Sequence, residues 1–245
     1  MHGYRDDLAY IHDEGFTDFA RGAAHGLLQI LRSHGIKGGR VLDLGCGSGR
    51  WARELNDAGY QVIGIDQSLA MVRLAREIAP RSKFTVGSLL RIKLQECDAV
   101  TSIGECLNYT FDQRNSAKAL ERLFLRVYSA LRPGGIFVFD IAEPGRVPTG
   151  VERKWSEGPH WALLVSIEGD RQRRVLSRRI VTFRKTASAF RRGEEIHRLR
   201  LYWADDLVQS LRECGFRARK LAGYGRFPFP PGIRGVLAVK PNHFG

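Results

Sequence analysis

The sequence predicts an α/β protein built on an open, doubly wound, mostly parallel sheet of seven strands, with an antiparallel β insertion after the fifth. Three observations predict it. Between residues 40 and 141, short apolar runs alternate with amphipathic helical stretches. The first run passes through a glycine-rich turn, "GCGSG" (45–49), straight into a helix. After Pro144 the pattern changes to long β-branched segments at strand period.

Each element follows from local pattern. Phe16, Phe19, Ala20, Ala23, Leu27, Ile30 and Leu31 recur at helical spacing, and Gly35 stands where a C-terminal cap belongs. "RVLDL" (40–44) is a strand, and "GRWARELNDAG" (49–59) is a helix closed by Gly59. "QVIGID" (61–66) is the second strand, and "SLAMVRLAREIA" (68–79) is a helix halted by Pro80. "KFTVG" (83–87) and "DAVTSIG" (98–104) are strands three and four. A helix over 113–131 carries Ala117, Leu120, Leu123, Phe124, Val127 and Leu131 on one face. "PGG" (133–135) then turns into "IFVFDIA", strand five. Parallel strands joined by helices require right-handed crossovers, which cover both faces of the sheet. "HWALLVSIE", "RRVLSRRIVTFRK" and "EIHRLRLYW", separated by turn-like "GDR" and "RRGEE", read as a meander. "DDLVQSLRECGF" (205–216) returns to helix, and strands near 217–223 and 235–240 complete the sheet.

Composition narrows the class. A chain of 245 residues, 43% hydrophobic and 27% charged, suits one globular domain and excludes disorder. No apolar run reaches membrane-spanning length, and "MHGYRDDLAY" lacks the apolar region of a secretory signal. Cys46, Cys97, Cys106 and Cys214 have neither disulfide-framework nor metal-site spacing, so a cytoplasmic protein with reduced thiols and no metal is expected. The net charge of +13 is concentrated late. Residues 1–150 hold 19 Lys and Arg against 17 Asp and Glu; residues 151–245 hold 20 against 9. Such a basic half attracts an anionic partner or substrate. Aromatics are not interleaved with the arginines as a base-stacking platform requires, which disfavours nucleic acid.

The glycine turn carries the chemistry. Ligands of open α/β sheets bind beyond the carboxyl ends of the strands, near the point where strand order reverses. Glycines let the backbone approach a ligand closely, and the helix behind offers free N–H groups. The loop Gly45-Cys46-Gly47-Ser48-Gly49-Arg50 lacks the lysine of a phosphate loop and the spacing of a dinucleotide fingerprint. Asp43 before it would repel a pyrophosphate but suits an ammonium group. With Asp66 ending strand two, "CDAVTSIGECLNY" (97–109) and "ALRPGGIFVFD" (130–140), residues 40–141 resemble the class I S-adenosylmethionine-dependent methyltransferases, of Rossmann-like fold.

The resemblance implies S-adenosyl-L-methionine as cofactor, with Asp43, Gly45, Cys46, Gly47 and Gly49 around its methionine part. It implies Asp66 at the ribose hydroxyls, Ser88 beside the adenine, and Gln67, Leu89 and Ile103 as further cofactor-binding residues. Ser88 replaces the acid that such enzymes commonly place beside the adenine. The N-terminal "YRDDLAYIHDEGFTDFARGAA" resembles their lid, which brings Tyr10 and Arg21 toward the methionyl carboxylate. The chain then divides into a helical lid (1–35), a cofactor-binding core (36–143), the β insertion (144–204), and a C-terminal helix with two strands (205–245).

"GECLNY" looks more like small-molecule methyltransferases than base-modifying ones, so the expected acceptor is a small molecule, anionic in view of the charge, methylated on N or O. Alternation along the meander puts Glu195, His197, Leu199 and Leu201 on one face, and Ser177, Arg179, Val181 and Phe183 on one face of its neighbour. Arg179, Glu195 and His197 would then roof the acceptor, and His12 is a second candidate base. His160, Trp161, Tyr202, Phe227 and Phe229 are further candidates. An RNA or protein methyltransferase using the basic half, and a cofactor-binding partner protein without catalysis, are the alternatives.

Overall fold

The computed structural model describes residues 3–187 and 189–242. Two helices open the chain, α1 (Asp6–Gly15) and α2 (Asp18–Ser33). The periodic stretch read from Phe16 to Leu31 corresponds to α2, and α1 precedes it across Phe16 and Thr17. Gly15 fits there because a Cβ would strike the ring of Trp161.

Then follow β1 (Gly39–Leu44), α3 (Arg50–Asp57), β2 (Tyr60–Asp66), α4 (Leu69–Ile78), β3 (Lys83–Val86), β4 (Cys97–Ser102), α5 (Ala117–Ala130) and β5 (Leu131–Ala142). The insertion holds β6 (Glu152–Gly158), β7 (Trp161–Asp170), β8 (Val175–Lys185) and β9 (Phe190–Arg200). The chain closes with α6 (Ala204–Glu213), β10 (Arg217–Leu221), a two-residue hairpin of β11 (Gly223–Tyr224) and β12 (Phe227–Pro228), and β13 (Ile233–Val239).

Seven strands form the main sheet in the order β10-β13-β5-β4-β1-β2-β3. Strands β1 to β5 pair in parallel, and β13 runs antiparallel to both neighbours. Strand order reverses between β1 and β4, so their carboxyl ends open a crevice. Alternation sorts the core into two layers. Leu42, Leu44, Phe137 and Phe139 pack under α5 and α6, whereas Val41, Ile136 and Val138 pack under α2, α3 and α4. Among the described residues, no helix is long and apolar enough to cross a membrane.

Two turns predicted from glycine lie inside strands. The "PGG" stretch is a bulge within β5: Cys97 pairs with Leu131, but Ala99 pairs with Ile136. "RRGEE" belongs to β9, where Gly193 faces Thr182 so closely that a Cβ would collide with its hydroxyl. The turn falls earlier, where the backbone N–H and hydroxyl of Thr186 both donate to the Ala189 carbonyl, at 2.7 and 2.8 Å. Strand β6 has no sequence signal because it is a polar edge strand, "ERKWSEG", whose outer side needs no apolar residues.

The four-stranded insertion lies over the crevice. Leu8 and Ile11 of α1 pack on Trp161, Leu163 and Ile180 of its underside. Asn108, fully buried, fastens it to the main sheet. Its amide donates to the carbonyls of Ala142 and Arg200, at 2.9 and 2.7 Å, and accepts the Ala142 N–H at 2.9 Å. Each of these backbone groups, left buried and unpaired, would cost about 1–3 kcal/mol.

Candidate active site

The crevice is a cavity of about 710 Å³ that runs from the glycine turn to the underside of the insertion. Its floor is mostly backbone. Gly45, Gly47 and Gly49 have φ of 82°, 52° and 80°. The N–H groups of Gly45 and Cys46 donate to the Ile65 carbonyl at 2.7 and 3.0 Å, which fastens the turn to β2. A Cβ at Gly45 would strike Cys106, and one at Gly49 would strike Ala75. A Cβ at Gly47 would meet no atom within 4 Å, because it would project into the cavity. Two of these glycines allow close packing; the third keeps the cavity open.

Three carboxylates border that opening, Asp43 and Asp140 buried and Asp66 partly buried. Asp43 accepts the Thr101 hydroxyl at 2.9 Å, and burial, with a smaller contribution from Asp66, pushes its carboxyl up to about 7. Asp66 accepts the N–H groups of Gly47 and Ser68 at 2.9 and 2.8 Å, and burial raises it as well. Asp140 accepts the N–H groups of Gly104 and Glu105, at 2.9 and 2.7 Å, and the Tyr224 hydroxyl at 2.8 Å. Burial pushes Asp140 up to about 6. Among the described residues none of the three forms an ion pair. A floor of unneutralised carboxylates suits a cationic ligand, as the ammonium and sulfonium of S-adenosylmethionine require.

The roof is built from side chains. Arg178 of β8 forms a two-point pair with Glu105 at 2.9 and 3.1 Å and donates to the Tyr109 hydroxyl at 3.1 Å. Burial alone would lower its guanidinium, but Tyr109 and Glu105 outweigh that and raise it. Glu105 has a left-handed backbone, φ 61°, held by the Asp140 carboxylate. Tyr4 projects into the cavity with its hydroxyl 3.1 Å from that of Tyr109. Its N–H donates to Glu195 at 2.7 Å and its carbonyl accepts the Ser68 hydroxyl at 2.6 Å, so the lid is tied both to the roof and to the start of α4.

The residues expected from the sequence divide accordingly. Asp43, Gly45, Cys46, Gly47, Asp66, Gln67, Leu89, Ile103 and His12 line the cavity. Gly49 stands behind the turn, at the start of α3. Ser88 is buried beside the cavity, with its hydroxyl donated to Asp112 at 2.5 Å. Besides Gly49 and Ser88, four expected residues do not line the cavity.

Arg179 is on the wrong face. The register pairs Arg178 with His197 and Ile180 with Glu195, so Arg178 shares their inward face. Arg179 sits opposite Ile196, is half exposed and pairs with Glu194 at 2.7 Å. A side-chain period of two makes a one-residue error in cross-strand pairing a change of face. His197 lies behind the cavity wall, packed on Tyr4 and Phe111, with Nε2 2.9 Å from Glu195. Tyr10 stacks beneath the Arg184 guanidinium, 3.8 Å from its ring centre. Arg21 is exposed, because α2 turns Ala23, Ala24, Leu27 and Leu31 inward.

Glu105, Tyr109, Tyr4 and Asp140 lie inside motif stretches but carry no signal of their own, and Asp112 and Arg146 lie outside them, since each reaches the cavity through tertiary contacts.

A methyltransferase domain family matches residues 41–135. A protein of Geobacillus sp. (strain WCH70) that bears a methyltransferase name is 26% identical over 233 residues, covering 86% of this chain and 88% of its own. In fold the chain is similar to an S-adenosylmethionine-dependent methyltransferase of Clostridium acetobutylicum, with TM-score 0.80 at 17% identity over 96% of this chain and 98% of the other. It is likewise similar to the amino pentose methyltransferase CalS10 of Micromonospora echinaspora, solved with S-adenosylmethionine bound, with TM-score 0.74 at 20% identity over 97% of each chain. Together these matches support a class I S-adenosylmethionine-dependent methyltransferase. Its cofactor is S-adenosylmethionine.

Proposed function

We propose that the protein methylates N or O of a small-molecule acceptor that bears an anionic group and binds between the glycine turn and the β insertion. The observation that carries this reading is one continuous cavity, whose floor suits the cofactor and whose far walls are Leu163, Val165, Ile167 and Ile180 with Arg146 and Lys154 at the margin. Similarity to the sugar N-methyltransferase KedS8 of Streptoalloteichus sp. ATCC 53650, with TM-score 0.79 at 18% identity over 99% of this chain and 96% of the other, supports an acceptor of metabolite size.

When bound, S-adenosylmethionine supplies an electrophilic methyl group on a cationic sulfur. The protein's part is alignment and exclusion of water. Asp43 would hold the ammonium, Asp66 the ribose hydroxyls, and Gly47 leaves room for both. Tyr4, Tyr109 and Phe111 wall the acceptor side, with Arg178 and Glu105 fixing Tyr109. His12 lines the cavity, its Nδ1 has no hydrogen-bond partner, and burial lowers its imidazole to about 4. It therefore stays neutral at ordinary pH and can take a hydrogen bond from the acceptor's N–H or O–H. Glu195 and His197 act through Tyr4, as positioning residues for the lid.

The Nε of Arg146 is buried without a partner, which supports a role in holding the acceptor's anion. The basic surface speaks for a small acceptor rather than RNA. Arg179, Arg184, Arg191 and Arg192 are committed to Glu194 and Asp7 within the chain. Four free thiols fit a cytoplasmic setting.

The test incubates the protein and methyl-labelled cofactor with fractionated metabolites, bulk RNA and mixed protein, and reads product mass. Label in an anionic metabolite, with KM for it raised about tenfold or more by Arg146→Gln, supports the reading. Label only in RNA or protein, or no turnover despite cofactor binding, overturns it.

A further inference from the structure

Along with Asp66 and Gln67, Met71, Gly87, Leu89 and Leu90 line the cavity. Apolar walls of this kind suit a flat heteroaromatic ring but do not say which one. Asp112 also lines the cavity, and it arrives from the segment between β4 and α5 rather than from the end of β3. It is held from several sides. Its Oδ2 accepts the Ser88 hydroxyl at 2.5 Å and lies 3.3 Å from the Arg91 guanidinium. Its Oδ1 accepts the Arg114 N–H at 3.0 Å. The Ser88 hydroxyl in turn accepts the Leu90 N–H at 3.2 Å. Asn115 locks the segment by donating to the carbonyls of Leu107 and Tyr109, at 2.9 and 2.7 Å. Burial would raise the Asp112 carboxyl, but the Ser88 and Arg114 hydrogen bonds with the nearby arginines hold it below the ordinary carboxylate range. It is thus an oriented anion with acceptor capacity left on Oδ1.

We propose that Asp112, oriented by Ser88, is the residue that reads the cofactor's base by accepting a hydrogen bond from the exocyclic amino group of adenine. Ser88 is a positioning residue here: it lies just after β3, does not line the cavity, and orients a carboxylate from the neighbouring loop. The inference rests on the cofactor assignment and adds the residue that makes the site selective for adenine. An ionised acceptor favours a ring with an amino donor and disfavours one with a carbonyl at that position, since two acceptors would face each other unpaired.

The test measures calorimetric affinity for S-adenosylhomocysteine and for its deaminated analogue S-inosylhomocysteine. The wild-type chain should prefer the adenine form by about tenfold or more, the scale of a charge-assisted hydrogen bond. Asp112→Asn, which can donate as well as accept, should bring the two within about twofold. Ser88→Ala should narrow the preference by a smaller factor, and Ser88→Asp in the Asp112→Asn background should restore it. An unchanged preference in Asp112→Asn overturns the proposal, as does an equal loss for both ligands, which marks a merely structural role. If the wild type binds neither ligand, the cofactor assignment fails as well. Circular dichroism before titration separates binding effects from unfolding.

Discussion

The two walls of the cavity hold their shape in different ways. The floor consists of strand ends and a turn, and its defining atoms are backbone N–H groups, three left-handed glycines and buried or partly buried carboxylates without counter-ions. The roof consists of side chains from β8, β9 and the lid, in which charges are already paired: Arg178 with Glu105, Arg179 with Glu194, and Arg184 and Arg191 with Asp7. A floor that carries unbalanced negative charge is completed by a cationic ligand. A roof whose charges are balanced internally is stable without one and can change residues at modest cost. This division suits a constant cofactor on one side and a particular acceptor on the other.

The largest effect should come from the floor. Gly47→Val puts a branched side chain at φ 52°, which it rarely adopts, and fills the space in front of Asp66. Affinity for S-adenosylhomocysteine should fall by about a hundredfold or more, since strain of about 1–3 kcal/mol adds to the steric block. The roof should remain folded, because no roof contact passes through Gly47. Calorimetry with circular dichroism checks both, and undiminished affinity would place the ligand elsewhere.

At the roof, Arg178→Met leaves Glu105 partly buried and without its counter-charge. Breaking such a pair costs about 3–5 kcal/mol, and the loss should appear in the urea midpoint. Arg178→Met combined with Glu105→Gln should recover part of that stability, because no charge is then stranded. Cofactor affinity should change much less than acceptor KM. Equal losses in both would mean that floor and roof are not separable.

A smaller, pH-dependent effect distinguishes the walls again. Asp43 and Asp140 are raised to about 7 and about 6, above unfolded carboxyls at roughly 4. The folded chain therefore binds these protons more tightly than the unfolded one. Their contribution to stability is full below about pH 4 and is lost as pH rises through about 6 and then 7. A cationic ligand against Asp43 should reverse that loss. The rise in melting temperature on adding S-adenosylmethionine should thus grow between about pH 5 and pH 8. Binding near pH 6.5 should release a fraction of a proton, measurable as a dependence of the calorimetric heat on buffer ionisation. A heat independent of buffer would mean that Asp43 does not face the charge.

The floor was far more legible in the sequence than the roof, and the reason is geometric. Asp43, the glycine turn and Asp66 are local signals: strand, turn and helix follow one another, so chain order already brings the ligand-facing atoms together. Asp140 ends a strand that the sequence also predicts, yet its task of holding Gly104 and Glu105 depends on a neighbouring strand. The roof depends on register between distant strands, on the polar edge strand β6, and on a lid that crosses to Glu195, almost two hundred residues away. Alternation correctly grouped Glu195 with His197. It could not say which of two consecutive arginines in β8 lay opposite them, because "SRRI" offers the same residue to both faces.

That ambiguity allows the finest test. Arg178 and Arg179 are chemically identical and adjacent, and only the pairing of Arg178 with His197 separates them. Arg179→Ala removes a half-exposed pair with Glu194, and Glu194 keeps Arg192 at 2.7 Å. Exposed pairs contribute about 0–1 kcal/mol, so stability, cofactor affinity and acceptor KM should all stay within about twofold of wild type. The same substitution one position earlier should cost several times as much in stability and should also raise the acceptor KM. If the two variants behave alike, the register of β8 against β9 is not the one that sets the roof. If Arg179→Ala proves the more damaging, the inward face belongs to Arg179, and Glu105 must find its counter-charge elsewhere.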